Sequence, residues 1–168
     1  VLVMLDGRAA TINYADKYIP AIMHAWFPGE TTGTAIAETL FGDYNPGGRL
    51  AVTFPRTVGQ IPFAFPFKPG SDVETKTGLF GALYPFGHGL SYTKFEYSNL
   101  DITPKTHGTQ SDFTVTCKVK NTGDREGDEV VQLYLRDEVS SVTTYVKVLR
   151  GFERITLKPG EEKTVQFK

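Results

Sequence analysis

Apolar and polar positions alternate along this chain in two distinct styles, and the change between them falls near residue 95. Before it, short apolar runs are separated by turns. "VLVMLDG" at the start predicts a buried strand and a turn, and residues 14 to 19 suit a short helix that Pro20 interrupts. "AIMHAW", residues 21 to 26, predicts a second buried strand, so a strand, crossover, strand unit is expected. In "FPGETTGTAIAETLFG" Thr31 or Thr32 is a candidate N-cap, and Ile36 with Leu40 and Ala37 with Phe41 form i,i+4 pairs on a face expected to lie on the sheet. Gly42 suits a left-handed cap, and Asn45-Pro46-Gly47-Gly48 forces a turn. Leu50, Val52 and Phe54 then alternate as in a strand that Pro55 stops.

Residues 55 to 92 are rich in Pro, Gly and aromatics without a sustained period, yet too apolar for a disordered linker, so an ordered irregular loop is expected. From Phe95 the two-residue period takes over. Strands are predicted over 95 to 102, 112 to 121, 128 to 136, 145 to 150 and 162 to 167, with turns at "NTGD" and "LKPGEE". A fibronectin-like or immunoglobulin-like sandwich has about seven strands. Five or six are counted here, and the last one or two are expected to be missing. The fold class read from the pattern is α/β followed by all-β.

Composition narrows the functional classes. The 168 residues are 40% hydrophobic, enough for one good core or two small ones. A net charge of −1 provides no basic field for a polyanion, so nucleic acid is not expected as a partner. No apolar run reaches the roughly 20 residues of a membrane helix, so no membrane partner is expected. The chain starts at Val1 in a strand-like run, which reads as a piece whose targeting signal lies upstream. The single cysteine, Cys117, excludes an internal disulfide and a Cys-based metal site. In "FTVTCKVKN" it shares a face with Phe113, Val115 and Val119 and reads as a small buried hydrophobe.

Candidate chemistry is sparse. Glu30 follows a strand-like run and precedes a helix, where open α/β sheets hold ligands, although the helix macrodipole alone also favours a glutamate there. Asp6 and Asp43 read as turn residues. His24, His88 and His107 have no metal-ligand spacing, so no metal and no cofactor are expected. His88 stands out because "PFGHGLSY" sets it between glycines in an aromatic loop, where it can touch a ligand. Trp26, Phe27, Tyr84 and Phe86 can stack on sugar faces or fill a core. Ser91 lacks a Gly-x-Ser-x-Gly context, and "FGDYNPGGRL" runs from helix to strand, the reverse of a P-loop.

Four stretches resemble the carboxy-terminal half of glycoside hydrolase family 3 enzymes of the bacterial periplasmic β-glucosidase type. They are "HAWFPGETTGTAIAETLFGDYNPGGRLAVTFPRTVGQIP", "LYPFGHGLSYTKFEYSNL", "VKNTGDREGDEVVQLYLRDEVSSVT" and "LRGFERITLKPGEEKTVQF". The resemblance implies the end of an αβα sandwich domain over 1 to 66, a connecting loop region over 67 to 94, and a fibronectin-III-like domain over 95 to 168, incomplete at its end. It also implies a retaining mechanism, with an Asp nucleophile from an absent barrel and a Glu acid/base from an upstream part of the sandwich, the two carboxyls roughly 5 Å apart. Neither motif occurs here, so no catalytic residue is transferred, and Glu30 and His88 stay as substrate-proximal candidates. The implied partners are the missing barrel and upstream sandwich parts and a β-glucoside; the implied location is periplasmic or secreted. "ETTG" at 30 to 33 and "GRAAT" at 7 to 11 depart from the usual family pattern. An independent carbohydrate-binding or adhesion module is the competing reading, but such a module has no use for the α/β layer of the first 66 residues. A third, compatible with the first, has the sandwich brace the catalytic domains.

Overall fold

The computed structural model describes residues 1–60, 63–71, 73–74, 79–104 and 112–168. His107 lies outside the described residues. The chain divides into two compact units: Val1–Tyr44, Arg49–His88 and Leu135–Val148 form the first, while Asn45–Gly48, Gly89–Tyr134 and Leu149–Lys168 form the second.

In the first unit β1 (Leu2–Met4) and β2 (Ile22–His24) pair in parallel, with Met4 opposite His24, and α1 (Asn13–Tyr18) lies in the crossover between them. The expected strand, crossover, strand unit is therefore present. α2 (Thr32–Phe41) ends where expected: Gly42 has φ +88°, and its N–H bonds the carbonyls of Glu38 and Thr39. Only glycine adopts that backbone at no steric cost.

Other local expectations hold only in part: Thr31 is the N-cap of α2, as expected. No side chain caps the start of α2; Thr31 occupies the N-cap position without such a bond, and the Thr32 hydroxyl donates back to the Gly29 carbonyl. Nor does the apolar face of α2 lie on the sheet. The helix has no buried residue, and Phe41 is 84% exposed. The parallel sheet holds only two strands of three residues each, too little surface to cover a ten-residue helix.

The strand expected over 50 to 54 shrinks to β3 (Phe54–Pro55), because Leu50 bonds through its own N–H and carbonyl to His88 and Gly87 instead of to a strand. Pro55 pairs with Ala82 and is the last residue of β3, so the pairing stops there as expected. The irregular stretch 55 to 92 also carries regular pieces: β4 (Val73–Glu74) pairs with β5 (Leu79–Phe80), and β6 (Ala82–Tyr84) with β3.

The second unit is built from two sheets. β7 (Phe95–Thr103), β8 (Thr114–Asn121) and β11 (Glu162–Phe167) form one, in the order β11-β8-β7, and β9 (Gly127–Leu135) and β10 (Val148–Leu157) form the other. Val119, Val131, Ile155, Leu157 and Val165 interlock as the core, with Phe95, Cys117 and Phe167 packed against it. Each fully buried aliphatic side chain of this kind contributes about 1.5–3 kcal/mol. β10 starts three residues later than expected and runs through Gly151 to Leu157. A Cβ at Gly151 would meet Phe167 Cδ1 at 2.7 Å, so the glycine admits the phenyl ring against the strand.

Two asparagines organise the turns of this unit. Asn121 is fully buried; its Oδ1 accepts from Thr93 Oγ1 and Gly123 N, and its Nδ2 donates to the carbonyls of Arg125 and Leu157. Asn45 Oδ1 accepts from Ser91 Oγ and Tyr92 N, while Nδ2 donates to the Glu126 carbonyl. The Asn-Pro-Gly-Gly turn is thus fastened to residues 91, 92 and 126, and Gly47 is seated against Asp128, where a Cβ would lie 2.7 Å from the Asp128 Cβ.

Two outcomes follow. Asn121→Ala strands a buried hydroxyl and two carbonyls, and chemical denaturation will show a loss of about 2–4 kcal/mol. Asp128 accepts from the Thr156 hydroxyl, which holds its carboxyl below the usual aspartate range; partial burial opposes this, and the Arg154 guanidinium adds to it. A lowered folded pKa gives stability that is complete above the unfolded value, about 3.9, and is lost as the pH falls through the folded one. Denaturation midpoints measured from pH 7 to pH 2 will therefore fall more steeply for the wild type than for Asp128→Asn.

Candidate functional site

Parallel strands present their following residues together at their carboxyl ends, which is where open α/β sheets hold ligands. β1 and β2 do this with Asp6, two residues past Met4, and His24, the last residue of its strand. His24 Nε2 lies 2.8 Å from Asp6 Oδ1; a carboxylate only accepts, so Nε2 carries the hydrogen and Asp6 fixes the ring. The His24 side chain is 9% exposed and that of Asp6 32%. The other ring nitrogen, Nδ1, is buried without a partner.

Aromatic rings enclose the imidazole. Trp26 meets it edge-on at 4.0 Å between centroids, and Phe54 at 5.1 Å. Trp26 has φ +57°, a conformation that costs a bulky residue energy and that clusters at functional sites. Phe54 passes the contact on to Tyr84, whose ring stacks on His88 at 5.2 Å. The Tyr84 hydroxyl donates to Asp16 Oδ1 at 2.6 Å. Partial burial, then the hydrogen bond to Asp16 and its charge, push the phenol up to about 12.

Among the sequence candidates, the structure brings His88, Trp26 and Tyr84 into one cluster. Glu30 is exposed in the turn before α2 and makes none of the cluster's bonds. Phe27 is also exposed, and Phe86 stacks on Phe65. Asp6 and His24 each read as bland in sequence, and their pairing was missed. The signal was the parallel alignment of "VLVM" with "AIMH", which sets a residue just past one strand beside the last residue of the other. Cys117 is half-buried against the sandwich core, and burial pushes its thiol up, as fits a packing role. Among the described residues no group of three or more His, Cys, Asp or Glu could hold a metal ion. The cluster's chemistry is hydrogen bonding and aromatic contact.

Residues 1–92 match the model of the glycosyl hydrolase family 3 C-terminal domain, more than half of the chain. The chain belongs to glycoside hydrolase family 3. Residues 129–168 match the fibronectin type III-like domain that accompanies it here. A β-xylosidase of Formosa agariphila is 46% identical over 100% of this chain and 24% of its own length. A periplasmic β-glucosidase of Salmonella typhimurium is 45% identical over 99% of the chain and 23% of its length. Among solved structures, a β-glucosidase from Erythrobacter marinus superposes with a TM-score of 0.88 at 43% identity, covering 98% of this chain and 22% of that one. The chain thus spans about a quarter of the length of the family 3 relatives it matches. It corresponds to their C-terminal domain and not to a catalytic barrel.

Spectrophotometric titration at 295 nm tests the cluster. Tyr84 will ionise near pH 12, later than the ordinary value of about 10, and Tyr84→Phe will remove that step while Tyr134, whose phenol burial also pushes up, keeps its own late ionisation. A raised folded pKa also means that the stability linked to this phenol is complete below about pH 10 and is lost as the pH rises through 12.

Proposed function

We propose that this chain is the non-catalytic carboxy-terminal portion of a longer retaining β-glucosidase that hydrolyses terminal β-D-glucosyl residues. The observation that carries this reading is similarity along essentially the whole chain to β-glucosidases whose own length it spans by only about a quarter. Residues 1 to 66 are the end of the αβα sandwich domain in this proposal, 67 to 94 the connecting region, and 95 to 168 most of the fibronectin-like domain. Barrel and upstream sandwich residues supply the nucleophile and the acid/base. Glu30, which follows Gly29 in an exposed turn, and His88, stacked on Tyr84, are its substrate-proximal residues. A periplasmic or secreted location is part of the same proposal and is supported by the name of the Salmonella relative. Among the described residues no helix is long and apolar enough to cross a membrane.

A β-xylosidase is the second reading. It is favoured by the relatives from Formosa agariphila and Xylanibacter ruminicola, which are named β-xylosidase and xylan 1,4-β-xylosidase. The free binding-module reading is weaker, because residues 1–92 match an enzyme's domain and not a stand-alone sandwich.

Hydrolysis of p-nitrophenyl β-glucoside and β-xyloside distinguishes these. The longer protein will turn over the glucoside at least about tenfold more efficiently than the xyloside, a difference of about 1.4 kcal/mol in transition-state binding. Proton NMR of the first-formed product will show the β-anomer. The 168-residue chain will show no turnover, and turnover by it would place an active carboxylate pair within these residues.

A further inference from the structure

Hydrophobicity alone does not fix how β1 and β2 are aligned. Leu2, Val3 and Met4 are all apolar and all partly buried, as are Ile22 and Met23. In a strand covered on one face, alternation sets the register, because a slip of one residue turns its apolar side chains to water. Strands that are apolar on both faces lose that safeguard, since a one-residue slip again sets apolar residues against apolar residues. Strands of three residues also have few ladder bonds with which to choose between alignments.

His24 is the one polar residue in these two strands. It lies opposite Met4 and donates its Nε2–H to Asp6 Oδ1 at 2.8 Å. The turn after β1 presents that oxygen, which also accepts from Arg8 N at 3.4 Å. Trp26 and Phe54 close over the imidazole, and among the described residues its buried Nδ1 has no partner, so the bond to Asp6 is the one that satisfies the ring. This chain buries His24 by itself, and further chain can only add to that burial.

A slip of one residue in either direction moves Asp6 by about 3.3 Å along the sheet, and a slip of two doubles that. A 2.8 Å bond does not survive the displacement, and both ring nitrogens are then buried without partners. The observed alignment, Leu2 with Ile22, Val3 with Met23 and Met4 with His24, is therefore the one that satisfies the imidazole. Such a pair need not add stability, because an apolar pair of similar volume avoids the desolvation altogether. We propose that the Asp6–His24 hydrogen bond is a register lock: it selects the alignment of β1 with β2 that their apolar residues leave undecided. The lock belongs to the fold and does not rest on the glycosidase reading above.

Backbone NMR of the 168-residue chain tests the lock, beside thermal unfolding of each variant. The wild type will give one set of cross-strand nuclear Overhauser effects joining Met4 to His24 and Ala25, and the Ala25 amide, bonded to the Met4 carbonyl, will be protected from exchange. The double variant Asp6→Ala/His24→Leu will fold but give more than one set, with Ala25 exchange faster by about tenfold or more. Asp6→Asn keeps an acceptor oxygen for Nε2–H and will keep the single set. A single wild-type set in the folded double variant overturns the proposal, as does loss of the single set in Asp6→Asn. If the double variant does not fold, the pair supplies stability and not selection, and the proposal falls as well. Absence of the Met4 effects in the wild type overturns it at the outset.

Discussion

A buried amide side chain has to find partners for both its ends, and Asn121 shows how much structure that one demand can organise. Its four hydrogen bonds tie the end of β8 to the Thr93 hydroxyl, to the turn at Gly123 and Arg125, and to the last carbonyl of β10. Leu157 and Val119, the neighbours of these bonds along the chain, are the two fully buried aliphatic residues at the same end of the core. The polar hub and the hydrophobic core are therefore one construction, since the core excludes water from the amide and the amide fixes the strand ends that shape the core. Asn45 repeats the device with a turn and a bend, and buried Glu129 meets the same demand with the Tyr97 hydroxyl.

The α/β unit is held by different means. Its strands are two or three residues long, α2 buries no side chain, and among the described residues of the unit the buried ones are Ala15, Thr53, Phe54, Gln60 and Leu83. Isolated polar bonds and ring contacts replace a continuous apolar layer. Gln60 accepts from the backbone N–H groups of Arg56 and Thr57 and donates to the Gly81 carbonyl, and Phe54 touches His24, Trp26 and Tyr84. A unit of this kind keeps many side chains near the surface. That matches a chain a quarter as long as its relatives.

Where periodicity is sustained, sequence sufficed. The strands β7, β8, β9 and β11 lie within two residues of their expected bounds because six to nine alternating positions leave one register that buries Val115, Val119, Val131 and Val165. The cap at Gly42 was legible for a similar reason, since few residues tolerate that backbone. Long-range effects were not legible. β10 runs past its expected end at 150 through Gly151, whose missing side chain makes room for Phe167, sixteen residues away in sequence. The α2 stripe was correctly apolar, but a stripe says only that burial is favourable and not what supplies the cover. The site was half legible: His88 drew notice from its glycines, whereas Asp6 and His24 gained meaning only from parallel pairing, a relation between segments eighteen residues apart.

Polar chemistry is divided differently between the two units. In the sandwich the distinctive polar side chains are engaged internally: Asn121 and Asn45 serve turns, and Asp128 serves Thr156 and Arg154. Groups bound in this way cannot exchange partners with a ligand without weakening the fold. In the α/β unit, by contrast, Asp6 is oriented through one oxygen and partly open, and Trp26, packed on His24 and Phe54, has φ +57°. Pre-positioned, incompletely satisfied groups are what recognition needs, because their ordering is complete before a ligand arrives. The junction "LFGDYNPGGRLAVTFP" falls on the scaffold side of this division, since Gly42 ends a helix and Asn45 anchors a turn. The Asp6–His24 pair lies upstream of it, at the carboxyl ends of β1 and β2.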